Sequence, residues 1–190
     1  FEFLCQLFSK GFRDDRKVKP ATIAKLVAQM QGDLSTIHSK GILVVDYNEM
    51  NFLVSRLFDK VYNIDTDSYK TPNFPATALM ESVRDRQVRN QNFTEGSDWF
   101  SWAVVTFQMY MGIHPYKGLH PSYKRKDWIK MMDKGVSVFS NDVTLPPATQ
   151  DWSVIPAAHK DYYQKVFRDG HRGAPPKVDG VVIKPIAAPT

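Results

Sequence analysis

The stretch GILVVDYNEMNFLV, residues 41–54, runs from an apolar, strand-like segment into Asp46, Asn48 and Asn51 and then straight back into apolar residues. An apolar chain accepts such an interruption for one of two reasons. Asp and Asn side chains can bond to their own backbone and hold a turn. Alternatively, a carboxylate followed five residues later by an amide, on a loop between a helix and a strand, presents hard oxygen atoms that suit Mg²⁺ and the phosphates it accompanies. A second carboxylate, Asp65, follows a hairpin-like segment and completes that second pattern. A calcium loop is excluded, because Met50 and Asn51 stand where it requires an oxygen ligand and a glycine.

The surroundings of this loop set the fold class. Upstream, Ile23, Leu26, Val27, Met30, Leu34 and Ile37 recur at steps of three and four, which predicts an amphipathic helix over 20–38. Pro20 suits its first turn, Gly41 lies just past its end, and His38 reads as a helix-end residue. Downstream, 52–54 and 61–64 read as the two strands of a small hairpin that closes on Asp65 and Asp67. Residues 70–96 show no clean period and read as a long irregular segment, which in a compact domain is more often functional than accidental. DWFSWAVVTFQMYMG, residues 98–112, has only Ser101, Thr106 and Gln108 as polar residues after Asp98. A helix apolar on all sides is buried, and this one is too short to span a bilayer. Ser97 or Asp98 is its expected N-cap, and Gly112 its end. Shorter helices are expected over 127–134 and 157–167, with TLPPATQDW, residues 144–152, as a loop between them. The expected class is mainly α, α+β overall, with a small β-hairpin and a buried central helix: one domain over 1–175, then a Pro-rich tail, 176–190, as linker or docking arm.

Composition bounds what such a domain does. With 43% hydrophobic and 13% aromatic residues, the 190-residue chain can bury one sizeable core. No apolar run approaches the roughly 18 residues that span a membrane, and no signal-peptide pattern opens the chain. The single Cys5 forms no internal disulfide and fits a reducing compartment, so the cytoplasm is the expected location. The five histidines show no zinc-site spacing. The formal charge is +5, with cations gathered at Arg84, Arg86 and Arg89 and at Lys124, Arg125, Lys126 and Lys130. A solvated surface is the plain reading of these clusters; an acidic partner or a nucleic acid is the functional one. The chain begins at Phe1 rather than Met, which reads as part of a longer polypeptide.

In their order, these residues resemble the C-terminal lobe of protein kinases. Asp46 and Asn51 match the catalytic loop H-R-D-x-x-x-x-N, and Asp65 in IDTDSY matches the metal-binding Asp of D-F-G. GSDWFSWAVVTFQMYMGIHPYKG, residues 96–118, is similar to the buried kinase helix that opens with Asp and is followed by G-x-x-P-[FY]. VVDYNEMNFLV with IDTDSY resembles bacterial and phage kinase-like proteins sometimes joined to helix-hairpin-helix modules, and the resemblance covers about residues 20–175.

The resemblance implies Mg-ATP-dependent phosphotransfer to a Ser or Thr hydroxyl by the intact parent protein. In that reading Asp46 orients the hydroxyl and accepts its proton, while Asn51 and Asp65 hold Mg²⁺ against the ATP phosphates. Asn48 occupies the position of the phosphate-contacting Lys in the catalytic set. Asp98 tethers the catalytic-loop backbone, and Glu81 closes the activation segment with Arg172 as its distant partner. The chain also departs from the family: Val44 and Val45 replace His-Arg, Asn48 replaces Lys, and Thr66 and Asp67 replace Phe-Gly. It carries no G-x-G-x-x-G, and the 45 residues before Asp46 do not accommodate an N-terminal lobe, which therefore counts as a missing partner beside the protein substrate. The alternative implied by these departures is a weak or inactive pseudokinase lobe, a binding or structural module in a larger assembly. A nucleic-acid-associated module is a third reading, resting on the basic clusters and the helix-hairpin-helix analogy.

Overall fold

The computed structural model describes residues 1–73 and 79–177. Its elements are β1 (Glu2–Phe3), α1 (Lys10–Asp15), α2 (Pro20–His38), β2 (Phe52–Val54), β3 (Val61–Asn63), α3 (Glu95–Met111), α4 (Trp128–Asp133) and α5 (Ala157–Phe167), joined by short 3-10 turns and loops. The class is α+β: helices packed around α3, with a small antiparallel sheet at one end.

α3 is the axis. Every residue from Ser97 to Met111 is buried, so no side of this helix meets water. Its start is a capping box: the Thr94 hydroxyl accepts the Ser97 N–H, and the Ser97 hydroxyl accepts the Thr94 N–H. The cap thus lies three residues before Ser97, one of the two expected caps, because that serine is the reciprocal partner of Thr94 and not the cap itself. Gly112, at φ 71, ends the helix. A Cβ there would lie 2.8 Å from the Phe8 carbonyl oxygen, so glycine allows both the left-handed turn and the approach of the N-terminal segment. Arg13 completes this end: its buried guanidinium donates from one nitrogen to the carbonyls of Met109, at 3.0 Å, and Tyr110, at 3.1 Å. Those carbonyls have no intrahelical partner, and the cation also meets the negative end of the helix dipole.

The predicted amphipathic helix is α2, with Ile23, Leu26, Val27, Met30 and Leu34 buried against the core and Pro20 in its first turn. The predicted hairpin is β2–β3, in register Phe52↔Asn63, Leu53↔Tyr62 and Val54↔Val61. A third strand joins it, since β1 pairs with β2 through Glu2↔Val54 and Phe3↔Leu53. Two residues carry no period, so β1 left no mark in the pattern. Phe52, Val54 and Val61 face the core, whereas Phe3 on the other face is 46% exposed beside half-buried Leu53 and Tyr62. The Gln29 amide of α2 pairs with the Val61 backbone in both directions, at 2.8 and 2.9 Å, and satisfies that part of the sheet edge.

The packing continues past α5. Pro175 is buried, its carbonyl accepts from Gln31 at 2.9 Å, and Gly173 accepts from the Tyr162 hydroxyl at 2.9 Å. Residues 178–190 of the expected tail lie outside the described residues. Among the described residues no helix is long and apolar enough to cross a membrane.

Candidate functional site

The loop that follows α2 is built on the Asp98 carboxylate, which is fully buried near the start of α3. One of its oxygens accepts the Val44 N–H at 2.7 Å and the other the Val45 N–H at 2.9 Å. His38, at the end of α2, contributes a third bond: its Nε2 lies 2.9 Å from Asp98 Oδ2 and donates to it, while the ring packs edge-on against Trp99. His38 is therefore part of the support of this loop and more than a helix end. Its sequence signal was its place four residues after Leu34, on the buried stripe of α2.

The carboxylate holds the chain in a conformation it would not adopt freely. Val45 has φ 64, a left-handed value disfavoured by a β-branched residue. Asp46 follows immediately, 9% exposed, with both oxygens engaged: Oδ2 accepts from the Asn48 amide at 2.9 Å and Oδ1 from the Met80 N–H at 2.7 Å. Asn48 is buried and bonded at both ends, because its Oδ1 accepts the Met50 N–H at 2.8 Å. The Asn51 amide donates to the Asp46 carbonyl at 3.0 Å, which closes the loop across its five-residue step. Of the two readings of the opening stretch, the side-chain-bonded turn is the one seen here: Asn48 makes it, and it fixes Asp46 and Asn51 relative to each other.

Asp65 arrives from the hairpin. The Ile64 N–H donates to the Asn51 carbonyl at 2.9 Å, so Asp65 stands one residue beyond a direct bond to the Asn51 backbone. It sits at φ 55 and ψ 71, exposed, and heads the 3-10 turn Thr66–Ser68 without a side-chain cap bond. Its carboxylate makes no hydrogen bond or ion pair to any described residue. Past the turn, Lys70 and Leu43 exchange backbone bonds at 2.7 and 2.9 Å and lay this segment back along the start of the loop. Tyr47 fills the space beneath, fully buried against Phe52. Burial above all, with Tyr69, Asp33 and Asp98 nearby, pushes its phenol well above the usual range, so it is neutral.

The expected pairing of Glu81 with Arg172 is corrected by the structure. Arg172 makes a two-pronged ion pair with Asp85, at 2.7 and 2.9 Å, and Asp85 is the buried carboxylate. Glu81 is exposed and pairs with Arg84 and Arg86. Two acidic residues four positions apart in an irregular segment carry no mark of which one turns inward. The segment from Met80 is also held from the far end of α3 by His114, whose Nε2 bonds the Ser82 carbonyl at 2.9 Å and whose ring meets Trp128 at 4.8 Å. Residues 74–78, in the middle of the expected irregular segment, lie outside the described residues.

Asn51 commits its amide nitrogen to the Asp46 carbonyl, and its backbone carbonyl to the N–H of Ile64, the residue before Asp65. Among the described residues no group of three or more His, Cys, Asp or Glu side chains can hold a metal ion. A Mg²⁺ ion with few protein oxygens around it carries its remaining ligands with it as water and phosphate.

No protein-family model matches the chain. The chain is similar to serine/threonine-protein kinase 1 of Heliothis zea nuclear polyhedrosis virus, 27% identical over 104 residues, which is 54% of this chain and 39% of that protein.

Proposed function

We propose that this chain is the catalytic-loop lobe of a protein kinase-like phosphotransferase, which in its intact parent moves the γ-phosphoryl group of Mg-ATP to a Ser or Thr hydroxyl. The observation that carries the reading is the closed loop itself. Asn51 is bonded to the Asp46 carbonyl, and Asp65 follows one residue beyond the backbone bond to Asn51, which supports a base and two hard oxygen ligands acting from one small frame. Likeness to a viral serine/threonine-protein kinase supports the same reading.

Phosphoryl transfer asks mainly for position and charge neutralisation. Asp46 receives the substrate hydroxyl and takes its proton, and Asn48 sets the rotamer of Asp46 from below instead of contacting phosphate. Asn51 and Asp65 are the residues that would hold Mg²⁺, which supplies charge neutralisation at the phosphates. The outer face of the sheet, with Phe1 67% and Phe3 46% exposed beside Leu53 and Tyr62, is the apolar surface on which an N-terminal lobe would close.

One observation favours the pseudokinase alternative: both Asp46 oxygens already accept bonds from within the chain. The two readings separate in one assay. A longer polypeptide that carries this sequence is supplied with labelled Mg-ATP and a Ser/Thr peptide, beside Asp46→Asn and Asp65→Ala. Transfer that falls by about 10³-fold or more in both variants supports the enzyme; transfer absent from the unaltered protein, with the fold intact, supports the scaffold.

A further inference from the structure

The net charge of this chain is concentrated in one place. Residues 117–134 hold six cations, Lys117, Lys124, Arg125, Lys126, Lys130 and Lys134, against two carboxylates, a net +4 of the chain's +5. All six cations are exposed. The two carboxylates are already committed, Asp127 to Lys130 at 2.9 Å and Asp133 to Arg86 at 2.7 Å. Among the described residues, Lys117, Lys124, Arg125, Lys126 and Lys134 have no carboxylate within ion-pair distance.

This surface is connected to the site described above. α4 leads from it, and Trp128 at the head of α4 packs on His114, whose imidazole bonds the Ser82 carbonyl two residues past the Met80 N–H that holds Asp46. At the other end of α4, the Asp133–Arg86 pair fixes it to the same segment. The uncompensated cations therefore flank the stretch that leads away from Asp46.

The aromatic residues among these cations narrow the class of partner. Binding of single-stranded nucleic acid draws on open ring faces for base stacking. Here Lys117 Nζ covers the Trp128 ring at 4.4 Å, and His120 closes on Tyr123 at 5.0 Å. What remains free is charge carried on long, flexible side chains, which suits carboxylates distributed along an extended chain.

We infer that residues 117–134 form a docking surface for an acidic, hydroxyl-bearing polypeptide, and that this gives the site its preference for acidic Ser/Thr substrates. The preference rests on the phosphotransfer reading; the surface does not.

The purified chain is titrated into a fluorescent Ser peptide flanked by Glu, into its Lys-flanked counterpart and into duplex DNA, over about 50–200 mM salt. The Glu peptide is expected to bind and to weaken with salt, and the Lys peptide not to bind. The triple variant Lys124→Glu, Arg125→Glu, Lys126→Glu should lose about tenfold or more in affinity, while reversal of the exposed Lys19, Lys25 and Lys40 leaves binding unchanged. Thermal melting of each variant confirms folding. DNA binding tighter than the Glu peptide, or equal loss in both triple variants, overturns the inference. In the transfer assay above, acidic binding without transfer to any peptide supports the surface and removes the phosphotransfer reading alone. Equal transfer to Glu and Lys peptides, unaffected by the triple reversal, overturns the inference alone.

Discussion

Val45 is where this fold accepts a local cost, because a left-handed β-branched residue is unfavourable by roughly 1–3 kcal/mol. The Asp98 carboxylate offsets it through charge-assisted bonds to Val44, Val45 and His38. Removal of that carboxylate leaves three buried donors unpaired. Asp98→Ala is therefore expected to cost about 3–5 kcal/mol in urea unfolding, far more than the truncation of an exposed Asp such as Asp142. Asn48 tests a different point. Because it is buried and bonded to Asp46 and Met50, the proposed reading has it orient Asp46 and not touch the nucleotide. In the transfer assay Asn48→Ala should lower kcat by about 10- to 100-fold with little change in KM for ATP, whereas a phosphate-contacting residue would raise KM. Spacing alone showed that Asp46 and Asn51 belong together. It did not show which way Asn48 faces, because either orientation satisfies the same residue order.

At the scale of elements, burial decides, and burial is what a pattern records best. The uninterrupted apolar run of α3 and the stripe of α2 were legible because each commits many residues to one environment. β1 and the Asp85–Arg172 pair were not, because each depends on a few atoms meeting across long stretches of chain, and Thr94 was not, because several polar residues precede the apolar run and any of them could cap it. Within α3, Phe107 packs edge-on against Tyr163, Phe139 and Phe167 and is fully buried. Phe107→Ala should lower stability by about 3–5 kcal/mol through lost burial and the cavity left behind. A melting temperature unchanged by that substitution would place the helix at the surface and dismantle this architecture. Gly112→Ala tests the helix end independently. It adds only a methyl group, yet it meets the Phe8 carbonyl in a left-handed turn, and a loss of about 1–3 kcal/mol is expected from backbone strain.

The molecule as a whole carries its acid sensitivity in two buried imidazoles. Burial is the main cause that pushes His114 down to about 3 and His159 down to about 4, so both are neutral in the folded chain. The unfolded chain takes up their protons near pH 6.5, so stability is undiminished above that value and is lost as pH falls from about 6.5 to about 4 for His159 and about 3 for His114, each histidine contributing on the order of a few kcal/mol. His159→Phe should flatten the melting profile across this window. The same scale decides what this chain does by itself. On the proposed phosphotransfer reading, Asn51 and Asp65 would supply weak, low-specificity capture of Mg-nucleotide. In-line transfer also needs the γ-phosphoryl group clamped from the opposite side, since much of the barrier reduction comes from fixed geometry. In the described residues the outer face of the sheet offers Phe1, Phe3, Leu53 and Tyr62, with Lys60 Nζ laid over the Tyr62 ring at 5.1 Å, an apolar floor without a glycine-rich backbone to cradle phosphates. Residues 1–190 alone, given Mg-ATP and a Ser/Thr peptide, are therefore expected to show no transfer above an Asp65→Ala control, while nucleotide binding remains measurable and metal-dependent. Transfer that disappears with Asp65→Ala would mean that these residues close around the phosphates unaided, and that the outer sheet face is part of the clamp and not a seat for a second lobe.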